Sequence, residues 1–528
     1  MAIKPPWWVA VLCAAAAGGT LLVAFPPYGL WWLAPPGVGV LALAMHGRRV
    51  RVGFALGALC GVVFFVPLLA WTGLHLSVLP WLLLAGAQAA YVGLLGAAAA
   101  GTSALVERWP WLWPPLVAAL WTAQEALRSR APFGGFPWGR LAFSQADSPL
   151  VRLAAYGGAP LVTFGVALCG GLLVFAFAWL RVRPAVIGVL AAAGVALGPG
   201  LLPLAHPAGR AVTVAIIQGN VPRMGFDFNE QRRAVLDNHV AGTLDLARQV
   251  AAGRARQPDL VIWPENASDI DPLRNTDASA QISEAAAAIR APILVGAVLD
   301  GPGDQARNAG IVWQPGTGPG EMYIKRHPVP FAEYVPLRSL ARLVSSEVDR
   351  VSSDFVPGDR AGVLIVGPAT VGDVICFEVA YDSLVRDTVT GGAQLLVVQT
   401  NNATFNVAEA RQQLAMVQLR AVEHGRPALM ASTVGVSAFV TTDGRVLQPT
   451  SFNAPAVKVD ALRLGTARTL ASRLGAGPEY VIVSAAVVAL LVAMFSAVRP
   501  RRRARGRNRR SPTGVEEGER QKVSEAVA

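Results

Sequence analysis

Long apolar runs separated by short polar connectors fill the first two hundred residues, and one more apolar run lies near the C-terminus. Helices of about 17 to 25 apolar residues match the hydrocarbon thickness of a bilayer. The pattern predicts such helices near residues 7–25, 29–47, 53–71, 79–104, 112–128, 154–180, 184–204 and 479–498. Between about 210 and 460 the texture changes. The β-prone runs AVTVAIIQ, DLVIWPEN, APILVGAVL, AGIVWQ, GDVICFEVA and QLLVVQTNN alternate with the helical stretches EQRRAVLDNHVAGTLDLARQVAA and VAEARQQLAMVQLRAVEHG. That alternation predicts one α/β domain with its own core. Asp443 and Gly444, between SAFVTT and RVLQ, predict a hairpin turn. The expected organisation is a helical bundle over 1–205, an α/β domain over 206–475, a last span over 476–500 and a basic, disordered tail over 501–528.

Composition sharpens this picture. Of 528 residues, 53% are hydrophobic and 15% charged, with a mean hydropathy of +0.43, which excludes an ordinary soluble enzyme. Lys4, Arg48, Arg49, Arg51, Arg181, Arg183 and the run from Arg499 to Arg510 flank the apolar segments and read as cytoplasmic by the positive-inside rule. Chain parity then places the α/β domain outside the cytoplasm. Arg128, Arg130, Arg140 and Arg152 fall on that outer side too, against the rule, which marks their stretch as a functional loop or an exception. The first apolar run lacks the small residues that precede a signal cleavage site, so a retained anchor is expected. The net charge of +12 is concentrated in RPRRRARGRNRR beside a span, which fits anionic lipid headgroups and not nucleic acid.

The candidate chemistry lies in the α/β segment. Cys376 is the one cysteine of four outside the apolar runs, so neither a disulfide framework nor a zinc cluster is expected, and the six histidines show no ligand spacing. No cofactor or metal is expected. Glu265 in VIWPEN, Lys325 in YIKRHPVPFAEYVP and Cys376 in VICFEV each fall at or just after a strand-like run, where α/β folds gather active sites. A carboxylate to take a thiol proton, an ammonium to face an oxyanion and a thiol to attack carbon are the parts of covalent acyl chemistry. Core packing of Cys376, solvated roles for Glu265 and Lys325, and a cysteine–histidine dyad with His327 or His424 remain as alternatives. Glu125 is an ionisable residue near a span end, read either as functional or as an interfacial partner of Arg128 three residues on.

WPEN, YIKRHPVPFAEYVPLR and VICFEVAYDSLVRD together resemble the glutamate, lysine and cysteine motifs of the nitrilase superfamily. With WTAQEALRSRAPFGGFPWGRLAFSQADSPLVRLAAYGG, QGNVP and TNNATF, and with the domain placed before a final span, residues 5 to 500 resemble the apolipoprotein N-acyltransferase family. The resemblance implies a multi-pass helical membrane domain carrying an extracytoplasmic αββα sandwich. It implies a phospholipid acyl donor, a thioester on Cys376, and transfer to the α-amino group of diacylglyceryl-modified lipoproteins. It assigns Glu265 as general base, Lys325 as oxyanion stabiliser and Cys376 as nucleophile, with Glu333 and Glu378 orienting Lys325 or Glu265. Phe377, Asn401, Asn402, Phe331 and Tyr334 are implied as substrate-binding. A polyprenyl-phosphate mannose synthase is implied as a partner, because some relatives carry that domain fused. Two departures stand out: Phe377 replaces a frequent tyrosine, and RMGFDFNEQ after QGNVP lacks a frequent tryptophan. A membrane-tethered amidase of the same superfamily and a non-catalytic scaffold or transporter are the other readings.

Overall fold

The computed structural model describes residues 4–74, 78–178, 182–222, 224 and 231–507. The N-terminal part folds into α1 (Trp7–Ala24), α2 (Ala34–Met45), α3 (Val50–Leu68), α4 (Val78–Gly101), α5 (Ser103–Arg108), α6 (Trp113–Arg128), α7 (Ala154–Ala178) and α8 (Val182–Leu197). Among the described residues five helices are long and apolar enough to cross a membrane: Trp7–Ala24, Val50–Leu68, Val78–Arg108, Pro149–Ala178 and Gly477–Ser496. Eight such helices were expected, and the other three apolar stretches form shorter ones. α2 and α8 extend through adjoining 3-10 turns to the apolar helices Trp31–Met45 and Ala185–Leu201, and α6 has 16 residues. α6 also carries Gln124, Glu125 and Arg128, all buried inside the protein. The helices α3 and α4 meet along small residues: a Cβ added at Gly57 would lie 2.2 Å from the Val92 carbonyl oxygen. Such seams let membrane helices approach closely and pack by dispersion. Gly57→Leu is therefore expected to push α3 off α4 and lower the thermal unfolding midpoint, whereas Gly19→Leu, where a Cβ meets nothing within 4 Å, is expected to be silent.

The α/β segment contains β1 (Ala211–Gln218), α9 (Arg232–Ala251), β2 (Leu260–Ile262), α10 (Thr276–Ile289), β3 (Ile293–Asp300), β4 (Ala306–Gln314), β5 (Gly318–Ile324) and α11 (Arg338–Val344). It continues with β6 (Val363–Val366), β7 (Ala369–Ile375), α12 (Asp382–Thr390), β8 (Leu395–Thr400), α13 (Val407–His424), β9 (Ala428–Ser432), β10 (Ala438–Val440), β11 (Val446–Leu447) and β12 (Ala456–Arg463). Two six-stranded sheets form, ordered β12-β1-β2-β3-β4-β5 and β11-β10-β9-β8-β7-β6. Val214, Ile216, Ile262 and Leu294 of the first sheet pack against Val371, Leu395, Val397 and Leu429 of the second. The opposite face of the first sheet carries α9 and α10 through Leu236, Ile282 and Trp263. The result is an αββα sandwich. DLVIWPEN is strand only over Leu260–Ile262, and GDVICFEVA is strand only up to Ile375, because in both cases the chain turns sharply at the chemical residue.

The outer helices of the second sheet do not face solvent. Met416, Val417 and Leu419 of α13 share one apolar cluster with α7, the bundle and the outer face of β8 and β9. α14 (Leu470–Leu474) and α15 (Gly477–Arg507) then return the chain to the bundle. The disordered tail expected from 501 begins instead as a continuation of α15 to Arg507, and its remainder lies outside the described residues.

The arginines that broke the charge rule are explained by partners in the protein. Arg128 donates to the carbonyls of Phe136 at 2.8 Å and Trp138 at 2.5 Å. Arg130 pairs with Glu479 of α15, and Arg152 donates to the Leu202 carbonyl at 2.7 Å. Glu125 contacts Arg140 at 3.8 Å and not Arg128, and it also accepts from Thr163 and the Leu141 N–H. Arg140 in turn holds Asp382 at 2.8 Å, which Arg420 holds at 2.7 Å. This buried ionic chain ties the bundle to α12 and α13. Removing one member strands charge in a low-dielectric interior, so Arg140→Leu is expected to cost about 3 kcal/mol, read as a lowered unfolding midpoint.

Candidate active site

Three strand ends deliver three functional side chains to one place. β2 ends at Ile262, and the Pro264–Glu265 segment that follows runs so close to β3 that only glycine fits there, since a Cβ on Gly296 would sit 2.1 Å from the Pro264 carbonyl oxygen. β5 ends at Ile324, and Lys325 follows with its N–H bonded to the Asn308 carbonyl of β4 at 2.9 Å. β7 ends at Ile375, and Cys376 opens a tight 3-10 turn over Cys376–Ala380 with a φ of +54°. A non-glycine residue in that region is strained by about 1–3 kcal/mol, and such strain clusters at active sites.

Lys325 is only 2% exposed. Its ammonium donates to Glu265 Oε1 at 3.1 Å and to Glu333 Oε1 at 2.9 Å. Burial alone pulls its pKa down, but the carboxylates of Glu265 and Glu333 outweigh burial and hold it well above the usual lysine value. It is a fixed cation. Asn308, absent from the sequence reading, donates from Nδ2 to Glu265 Oε1 at 2.7 Å and to Glu333 Oε1 at 3.1 Å. The Asn401 N–H donates to Glu265 Oε2 at 2.9 Å. Glu265 is thus a carboxylate pinned from both oxygens.

Burial pushes the Cys376 thiol above its usual value, the charge of Glu265 adds to that, and Lys325 opposes it. At neutral pH the sulfur therefore carries its proton and needs a base. Its side-chain contacts are Thr400 Oγ1 at 3.6 Å and Gln413 Nε2 at 3.7 Å. Neither histidine of the dyad alternative is bonded to it: His327 lies against the Tyr381 ring at 4.1 Å, and His424 Nδ1 contacts Ser472 at 2.9 Å.

Glu378 works on backbone. Its carboxylate accepts from the N–H groups of Ile375 at 2.9 Å, Arg326 at 2.8 Å and His327 at 3.1 Å, and from the Tyr323 hydroxyl at 2.9 Å. It clamps the lysine loop to the cysteine turn without touching Lys325 or Glu265, so its orienting action is indirect. Glu333 touches Lys325 directly and accepts from the Val329 N–H at 2.7 Å, which holds its own loop.

The remaining candidates lie at different depths. Phe377 is buried between two rings of the bundle loop, Phe136 at 5.4 Å and Trp138 at 5.8 Å with an interplanar angle of 4°. Trp138 Nε1 donates to Gln412 of α13 at 2.7 Å, and the Tyr381 hydroxyl donates to the Gly135 carbonyl at 2.9 Å. The loop read as FGGFPWG is therefore part of the site's wall. Phe331 is half exposed and meets Phe133 edge-on at 6.0 Å. Tyr334 lines an open cavity of about 450 Å³ with Arg326, His327 and Phe355. Asn401 serves Glu265 through its backbone, and Asn402 is fully buried among Glu409, Gln413 and Ser432. Most of RMGFDFNEQ lies outside the described residues.

Residues 17–172 match the Apolipoprotein N-acyltransferase N-terminal domain, and residues 213–472 match the Carbon-nitrogen hydrolase family. The chain is 45% identical to the Apolipoprotein N-acyltransferase of Mycolicibacterium smegmatis, over 92% of this chain and 85% of that protein. It is 31% identical to the one from Azotobacter vinelandii, over 84% of this chain and 88% of that protein. The chain belongs to the apolipoprotein N-acyltransferase family. Among solved structures, an amidase from Nesterenkonia sp. covers 49% of this chain and 92% of its own length at 18% identity, with a TM-score of 0.36. Membership in the acyltransferase family makes the chain a membrane enzyme with a nitrilase-like domain, and the amidase and scaffold readings are not favoured.

Proposed function

We propose that this site moves a fatty acyl chain from a phospholipid to the α-amino group of an N-terminal diacylglyceryl-cysteine on apolipoproteins, through a thioester on Cys376. The carrying observation is the convergence of Glu265, Lys325 and Cys376 with the Glu265–Lys325 pair buried. Glu265 takes the thiol proton as sulfur attacks the ester carbonyl. Lys325 faces the oxyanion that forms. The C–O bond to the glycerol breaks, and the proton on Glu265 passes to the departing lysophospholipid oxygen. In the second half the lipoprotein amine attacks the thioester, Glu265 receives its proton, and the thiol is regenerated. Binding donor and acceptor in turn lets one pocket serve two lipid-anchored substrates, and membrane attachment raises their local concentration. Mass spectrometry of lipoprotein N-termini in cells with and without this chain tests the reading. Unchanged triacylation after its loss would end it.

The α/β domain is proposed to lie on the extracytoplasmic face, with the tail beyond Arg499 in the cytoplasm. Support comes from the flanking positive charges, since the outer arginines that argued otherwise have internal partners. In intact cells lacking the native cysteines, a cysteine placed at Ser511 is expected to resist a membrane-impermeant thiol reagent. Labelling there would reverse the orientation.

A further inference from the structure

Behind Cys376 lies a file of buried polar groups that the three-residue mechanism does not use. Thr400, Asn402, Gln413 and Ser432 are all 0% exposed and Glu409 is 1% exposed. The direction of their hydrogen bonds can be followed from an end that has no choice. The Gly435 N–H donates to Ser432 Oγ at 2.6 Å. The Ser432 hydroxyl is left to give its own hydrogen to Asn402 Oδ1. That fixes the Asn402 amide, whose Nδ2 then points to Glu409 Oε2 at 2.6 Å and to Gln413 Oε1 at 3.2 Å. With its oxygen claimed, Gln413 presents Nε2 to the Cys376 sulfur at 3.7 Å. The Thr400 hydroxyl has one hydrogen, and its nearer acceptor is Gln413 Oε1 at 2.8 Å and not the sulfur at 3.6 Å. Both donors, Thr400 and Asn402, thus hold Gln413 Oε1 and fix the orientation of its amide.

We propose that Gln413 is a further catalytic residue: its amide N–H donates to Cys376 Sγ and stabilises the thiolate as the proton leaves for Glu265. Sulfur accepts at longer distance than oxygen, and the contact strengthens when its acceptor gains charge. The charged and titratable groups facing the sulfur are Glu265, Lys325 and Glu409. Burial raises Glu409 to about 8, so this carboxyl adds little negative charge beside the sulfur at neutral pH. Lys325 is neutralised in part by two carboxylates. A neutral donor at the sulfur supplies stabilisation that raises no new charge in a buried site.

The inference rests on Cys376 as nucleophile, and its test separates the two. Full-length protein in detergent micelles is titrated with iodoacetamide from acid to alkaline pH, and alkylation is read on the Cys376 peptide by mass spectrometry. Gln413→Met keeps the volume without the donor and is expected to raise the midpoint by about one to two pH units, the worth of a hydrogen bond to a charged group. Ser432→Ala removes the hydrogen that orients Asn402, away from the sulfur, and is expected to shift the midpoint the same way by less. Phospholipid-dependent acylation of Cys376 slows at least tenfold in Gln413→Met by the same factor. An unshifted midpoint in whichever of these variants folds overturns the assignment. A wild-type Cys376 that alkylates but is never acylated by phospholipid removes the acyltransferase reading and leaves the role of Gln413 standing.

Discussion

Purified protein given a phospholipid labelled in its acyl chain, with no acceptor present, is expected to accumulate label on Cys376, and Cys376→Ser is expected to accumulate almost none. The buried sulfur can leave its proton on Glu265 only because a thiol ionises more readily than an alcohol; a serine hydroxyl in the same surroundings would need far stronger activation. Lys325 and Glu265 are paired by the fold itself, so no acceptor is required to assemble the first half-reaction. Once formed, the thioester waits for a bulky amine. Hydroxylamine should release the label, and a diacylglyceryl lipopeptide should collect it. Label on any other residue would defeat the thioester mechanism. Fast loss of label to water alone would restore the amidase reading.

How far the site could be read in the chain depends on what each residue borrows from its neighbours in sequence. Glu265, Lys325 and Cys376 stand at the ends of β-prone runs, and strand ends converge in a sandwich, so their pattern carried the site. Asn308 and Gln413 gave no such signal. Asn308 sits inside ARNAGIVWQ, where it reads as one more alternating strand position. Gln413 lies on α13, a helix buried on nearly every side, where Gln412, Gln418 and Arg420 are equally polar and find partners in Trp138, Asp147 and Asp382, so nothing in its spacing sets Gln413 apart. The strand β9 has no signal of its own because ALMAS is short and lacks polar alternation, whereas the hairpin expected at Asp443 and Gly444 is the antiparallel β10–β11 pair. The apolar runs marked the bundle well, but hydropathy alone fixes neither the length of each helix nor how much of it protein buries. The arginine conflict had the same root: a rule for charges facing water and lipid says nothing about charges that protein has taken in.

The buried cluster of one lysine and two glutamates allows chemistry and folding to be told apart. Glu265→Gln keeps a neutral group of the same shape beside Lys325 and leaves Glu333 as its counter-charge, so its stability should stay close to wild type. The base is gone, and turnover is expected to fall by about 10² or more. Lys325→Met is expected to lower turnover at least as far, about 10² to 10³, because the oxyanion loses its cation. It should also lose stability, by about 3 kcal/mol, since Glu265 and Glu333 then share Asn308 Nδ2 with no positive charge between them. Adding Glu333→Gln to Lys325→Met removes one of the two stranded carboxylates. That double variant should recover most of the unfolding midpoint and none of the turnover. If the midpoint stayed low, Lys325 would be holding the fold by some contact other than its ion pairs. If turnover returned with the midpoint, the lysine would be a strut for the loop, and stabilisation of the oxyanion would have to come from the backbone N–H groups of the cysteine turn.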